Sequence, residues 1–414
     1  MRPNLLAALI TLTLLSPPCL TPANPKSADP AFAQINSIVQ SLSAITGLSQ
    51  LHTVPYGRMS KHQLHSFLTK RIKKTLKPGE LYADELSLKM FGLVPQDFDL
   101  KKSTIDLLTE QAAAFYDYDE KKLFLLEDSS FAAETTTLAH ELSHALADQH
   151  FNLNRFMEES PANDDENLAH TAVVEGQATW LMLAYDLKQN GRNPVPTPDM
   201  LKAAVDSTDA GLSDYPVLKA SPLYIQQSLL FPYSDGTAFF HAVYQKMGKD
   251  AFAAVFTNPP SDTSQILHPD QYFAHLKPLK PALPKLPPAG IPLGGKIKEI
   301  SEGSVGEFDH LILLRQFLGD KAAATFSGHL RGGQFQILTR NKSKHPILLY
   351  ASQWDTEPHA AAFFAAYQKI LLSKWKSCHF LTPTTGQGDN GYFSLTLTGT
   401  IVTSTEGLES PPGT

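Results

Sequence analysis

Residues 140–150 read HELSHALADQH, inside the longer stretch SSFAAETTTLAHELSHALADQHF (129–151). Apolar residues recur there at spacings of three and four, which predicts a helix with Ser129 or Ser130 as N-cap and Ala133 and Glu134 in its first turns. On a helix, His140 and His144 stand about 40° apart around the axis and one turn along it, so both imidazoles face one point. Glu141 can reach a water held at that point. Two converging nitrogens are the start of a tetrahedral metal site, most readily for Zn2+, and such a site needs a further ligand. The fold must therefore bring another group to this helix face.

Two groups compete for that place. The spacing His140, His144, His150 is that of the metzincin zinc proteases, whose glycine at the position of Ala147 lets the helix stop and turn back. Ala147 instead favours a continuing helix, which points His150 about 120° away from His144. The other candidate is Glu175, in NDDENLAHTAVVEGQATWLMLAYDLKQNG (163–191). That stretch reads as a second long helix, with Asn163 and Glu166 as a capping box and Gly191 at its end. A carboxylate among Val173, Val174, Ala178 and Leu181 is costly to bury unless it meets a cation. His170 lies about 140° round from Glu175, near the helix start, and reads as a surface residue. Asp148 could orient a ligand ring or be a solvated helix-end carboxylate.

The rest of the chain reads as flanking architecture. Residues 31–93 have helical spacing, and AAFYDYDEKKLFLLED (113–128) reads as a β-hairpin about a polar turn. Further helices are expected near 196–208 and 235–257. KPLKPALPKLPPAGIPLGG (277–295) is too proline-rich for helix or central strand and reads as a linker or extended arm. Beyond it, residues 296–404 read as a small α+β unit: helix 304–318, strands near 333–340 and 346–352, helix 356–374 and strand 391–403. Residues 405–414 read as a loose tail.

At the other end, Arg2 and the apolar run LLAALITLTLL (5–15) have signal-peptide form, too short to span a bilayer, with cleavage expected near residue 23. An exported chain is expected, secreted or periplasmic, without a transmembrane segment. Pro17 and Pro18 argue against lipid attachment at Cys19. That leaves Cys378, a packed small residue, and no internal disulfide. The net charge of -6 offers no footprint for nucleic acid, and with 18% charged residues long disordered regions are not expected.

HELSHALADQHF with the downstream VEGQAT resembles the gluzincin branch of zinc metallopeptidases, which use His-Glu-x-x-His plus a glutamate from a second helix. More narrowly, residues 137–151 and 172–179, the AFYDYDEKKLFL hairpin, PPSDTSQILHPDQY (259–272) and WDTEPHAAAFFAAYQ (354–368) are similar to a group of uncharacterised exported bacterial proteins. The resemblance implies an α+β, mostly helical fold. A zincin-like metallopeptidase core with a short edge sheet would occupy residues 24–276, followed by the smaller C-terminal domain. It implies zinc on His140, His144 and Glu175, Glu141 as general base, and a peptide or protein substrate paired along the hairpin's edge strand. Such enzymes often use a downstream Tyr or His at the oxyanion, and His268 and Tyr272 are the candidates here. Two positions depart from the pattern. Thr179 stands where gluzincins often have an aspartate, and GHLRGG (328–333) replaces the group's Gly-Trp-Gly-Gly-Asp-Arg-like stretch. Two other readings keep the same residues: a catalytically silent zincin-fold binding protein, and a zinc hydrolase of a non-peptide amide.

Overall fold

A computed structural model describes residues 33–75, 79–127, 131–158, 164–211, 215–286, 297–340 and 345–412. The signal segment, Cys19, the expected caps Ser129, Ser130 and Asn163, and residues 287–295 of the proline-rich stretch lie outside them. The molecule is α+β and mostly helical. Among the described residues no helix is long and apolar enough to cross a membrane.

The first unit opens with α1 (Ile35–Thr46), whose buried face is Ile35, Ile38, Val39, Leu42 and Ile45 and which ends at Gly47 in the left-handed region. Then come β1 (Tyr56–Met59), α2 (Lys61–Thr75), α3 (Glu80–Phe91), α4 (Leu100–Gln111), β2 (Ala114–Asp117) and β3 (Lys122–Leu126). The two long helices follow, α5 (Phe131–Phe151) and, after the short α6 (Leu153–Glu158), α7 (Asp164–Gln189). After them come α8 (Pro198–Gly211), α9 (Pro216–Ala220), α10 (Leu223–Met247), α11 (Ala251–Thr257), α12 (Thr263–Leu267) and α13 (Pro269–Phe273).

The hairpin expected at 113–128 is β2 and β3, but it does not stand alone. β1 pairs parallel with β3, giving the order β1-β3-β2 and leaving β2 at the sheet edge beside α5. β1 corrects the all-helical reading of 31–93: four residues of YGRM are too few to show a period, and only the partner strand defines them. α10 also begins earlier than expected, at Leu223 rather than near 235, and runs through Pro232. The proline removes one helical hydrogen bond. Burial of Leu229, Leu230, Phe231 and Tyr233 around it holds the helix together.

α7 and α10 cross at Gly176 and Gly236. A Cβ on Gly176 would lie 2.2 Å from the Gly236 carbonyl carbon, and one on Gly236 would lie 2.3 Å from the Ala172 carbonyl oxygen. The two backbones thus touch next to Glu175.

The second unit contains β4 (Ile297–Ser304), α14 (Glu307–Leu318), α15 (Asp320–Ala324), β5 (Leu330–Arg340), β6 (Ile347–Trp354), α16 (Glu357–Lys374), β7 (Cys378–Phe380), β8 (Thr385–Gly388), β9 (Gly391–Thr398) and β10 (Ile401–Leu408). The strands form an antiparallel sheet of order β4-β5-β6-β10-β9-β8-β7. The expected strand 391–403 is in fact a hairpin turning at Gly399, and the start of the expected tail, residues 405–408, belongs to β10, central in the sheet with Glu406 and Leu408 buried. Glu406 is held there by Lys374 Nζ at 2.6 Å and the Tyr367 hydroxyl at 2.8 Å. One hydrophobic core runs through both units. Residues 277–286 lie against the sheet: the Leu279 N–H donates to the Arg331 carbonyl at 2.6 Å, and Leu283 and Leu286 cover Leu338, Ile347 and Leu349.

Candidate metal centre

α5 continues past Ala147 to Phe151 and ends where Asn152 adopts φ 50. His150 is carried off the metal face, and its Nε2 lies 2.8 Å from the Ser49 carbonyl oxygen. His140 and His144 point from the opposite side of α5 toward Glu175 on α7. His140 Nε2 is 3.0 Å from His144 Nε2, and Glu175 Oε2 is 3.1 Å from the first and 3.4 Å from the second. Tetrahedral ligands at about 2.0–2.1 Å from zinc stand about 3.3 Å from one another, so this triangle has the size of a tetrahedral face.

The chemistry of the donors points the same way. Glu175 Oε1 is buried with no hydrogen-bond partner among the described residues, and at most one proton can lie between two nitrogens 3.0 Å apart. A cation satisfies all these lone pairs together. Burial pushes the Glu175 carboxyl up, but His144 and His140 outweigh it and hold the group below its usual range, as an anion. The residues present therefore fit a divalent metal ion.

Glu141 is fully buried, and its Oε2 accepts the Tyr116 N–H of β2 at 2.7 Å. The edge strand thus sets the orientation of this carboxylate. Asp148 orients no ligand ring. It accepts from the Tyr116 hydroxyl (3.0 Å), Lys121 Nζ (2.8 Å) and the Leu153 N–H (2.9 Å), locking the end of α5 to the hairpin.

Two tyrosines complete the surroundings. Tyr233 of α10 stacks on His140, with ring centroids 6.1 Å apart and planes at 26°. Burial first, then the charges of Glu175 and Glu141 and a hydrogen bond to the Glu175 carboxylate, raise its phenol well above the ordinary value, so it stays protonated. Tyr118, in the hairpin turn, meets His144 edge-on at 6.2 Å. Sequence reading missed both, because an aromatic residue in a helix or turn looks like any core residue until its neighbours are known. The signal for Tyr118 lay in the quoted hairpin itself.

His140, Thr179 and Tyr233 form part of the wall of a cleft of about 1160 Å³ between α7, α8, α10 and α14, lined largely by apolar side chains such as Leu201, Phe231 and Ile312. Thr179, at the position where an aspartate would orient a ligand, has a buried hydroxyl with no partner among the described residues.

Other expected site residues are engaged elsewhere. His268 Nε2 pairs with Glu307 of α14 at 2.8 Å, and this hydrogen bond raises its pKa. The Tyr272 hydroxyl donates to the Asn258 carbonyl at 2.8 Å, and its ring packs on Phe239. Pro269 opens a short helix, α13, and the partners the structure gives these two side chains lie on α14 and just beyond α11. His170 is also no surface residue. It is buried against Phe156, ring to ring at 4.5 Å. Burial lifts the Cys378 thiol to about 11, which keeps it protonated. No protein-family model, curated protein or solved structure matches the chain.

Proposed function

We propose that the chain is an exported, zinc-dependent peptidase with a gluzincin-type, zincin-like core, its metal held by His140, His144 and Glu175. The observation that carries this reading is the buried donor triangle with sides of 3.0–3.4 Å, with Glu141 beside it on the same helix and a large apolar cleft at its edge. Export rests on the apolar run at 5–15.

A zinc ion bound there supplies a Lewis acid that activates water and polarises the scissile carbonyl. The Glu141 carboxylate, aimed by the Tyr116 N–H, takes the proton of the attacking water and delivers it to the leaving amine. Tyr233 donates its phenolic hydrogen bond to the negative charge that grows on the carbonyl oxygen. The apolar cleft takes the side chains of the peptide.

The test is zinc content and peptide cleavage measured together. Wild type should retain about one zinc through dialysis and cleave casein or a quenched peptide library. Glu175→Ala should lose the metal, and Glu141→Gln should keep it while cleavage drops by about 10²–10⁴-fold. One observation favours a second reading, a zinc-binding scaffold without turnover: His140 and His144 are each only 1% exposed. Zinc-loaded wild type that cleaves no peptide would select it.

A further inference from the structure

A second meeting of imidazoles and a carboxylate lies in the C-terminal unit, outside the site described above. His329 precedes β5, Asp355 directly follows β6, and His359 stands in the first turn of α16. His329 Nδ1 is 2.8 Å from Asp355 Oδ2, and His359 Nδ1 is 2.6 Å from Asp355 Oδ1. The two rings overlap, with centroids 3.7 Å apart and planes at 31°. The sequence stretches 328–333 and 354–368, far apart in the chain, supply all three residues.

Backbone structure builds this arrangement. The Asp355 N–H donates to the His329 carbonyl at 3.0 Å, one step beyond the Leu330–Trp354 pair that ends the β5–β6 ladder. Thr356 caps α16 by accepting the His359 N–H, and its Oγ1 lies 2.9 Å from His359 Nδ1, a further oxygen at the same place. All three side chains are about one-third exposed.

We propose that His329, Asp355 and His359 form a second, solvent-open zinc site that ties the β5–β6 end to the start of α16. Two imidazole nitrogens and one carboxylate oxygen suit a borderline divalent ion such as zinc, whereas calcium and magnesium require mostly oxygen ligands. One dication at this place meets both ring nitrogens and the carboxylate. The site does not depend on the peptidase reading.

The test uses the full chain, loaded at the buried triangle, dialysed against zinc-free buffer, and titrated with zinc sulfate in a calorimeter. Wild type should take up about one further equivalent, and so should Glu175→Ala, whose buried triangle is disrupted. His359→Ala and Asp355→Asn should each lose that equivalent. A readout on wild type needs no variant: zinc should protect His329 and His359 from diethyl pyrocarbonate several-fold, while exposed His62 reacts unchanged. No further equivalent, an equivalent that survives both variants, or labelling at His329 and His359 indifferent to zinc would overturn the proposal.

Discussion

His170 shows how one buried side chain can govern the acid tolerance of the molecule. Burial pulls its pKa down to about 4, from about 6.5 in an unfolded chain. Between those values the unfolded state holds a proton that the folded state does not, so stability rises with pH across this window. The contribution is present above about pH 6.5 and lost as pH falls toward 4, by up to roughly 3 kcal/mol. Denaturant unfolding at pH 7.5 and pH 5 should show wild type losing stability relative to His170→Leu at the lower pH. An equal slope in the variant would mean that His170 is not the group responsible. Tyr233→Phe tests the donor assigned to the oxyanion: zinc should stay, KM should change little, and kcat should fall about 10²-fold. At this scale the buried triangle of His140, His144 and Glu175 was legible because a charged or titratable group inside an apolar helical period needs a reason to be there. Tyr233 and Tyr118 carry no such signal, and His170 was misread because its cover, Phe156, belongs to another helix.

The geometry of the triangle depends on how closely α10 crosses α7. Gly176 and Gly236 sit back to back, Glu175 adjoins the first, and Tyr233 lies three residues before the second. Gly236→Ala would drive a methyl into the Ala172 carbonyl, and helix α10 must then move outward. We expect a loss of about 3 kcal/mol or more in unfolding free energy, with weaker zinc retention and poorer cleavage than Tyr233→Phe. Calorimetric melting and zinc content of the dialysed variant would check this; unchanged melting would contradict the crossing. The same crossing shows why some elements were readable and others not. α5 and α7 are long and periodic, and their sequence announces them. α10 is interrupted by Pro232, and its first half is helical because its apolar residues find partners. β1, β4, β7 and β8 are short or lack alternation, and exist through their neighbours in a sheet.

The two units meet at a cluster of buried acids. Asp165, in the first turn of α7, accepts from the Thr263 hydroxyl of α12, and that hydroxyl in turn receives the Phe308 N–H at the start of α14. Gly306 leaves the space: a Cβ there would lie 1.8 Å from Asp165 Oδ1. One carboxyl therefore joins α7, the helix of Glu175, to the second unit. One hydrophobic core includes residues from both sides of the proline-rich stretch. Burial, then the neighbouring Asp262 and Asp309, push the Asp165 pKa well above its usual value, and burial raises Asp309 to about 6. A carboxyl whose folded pKa is raised gives its full contribution below its unfolded value of about 4, and loses it as pH rises through the folded value. Asp165→Asn keeps the acceptor oxygen and removes the charge. The variant should match wild type near pH 4 and exceed it at pH 8. Guanidinium unfolding at the two pH values measures this difference directly. A variant weaker than wild type at pH 8 would mean that Asp165 serves the junction as a paired anion, and that the two units are held by its charge.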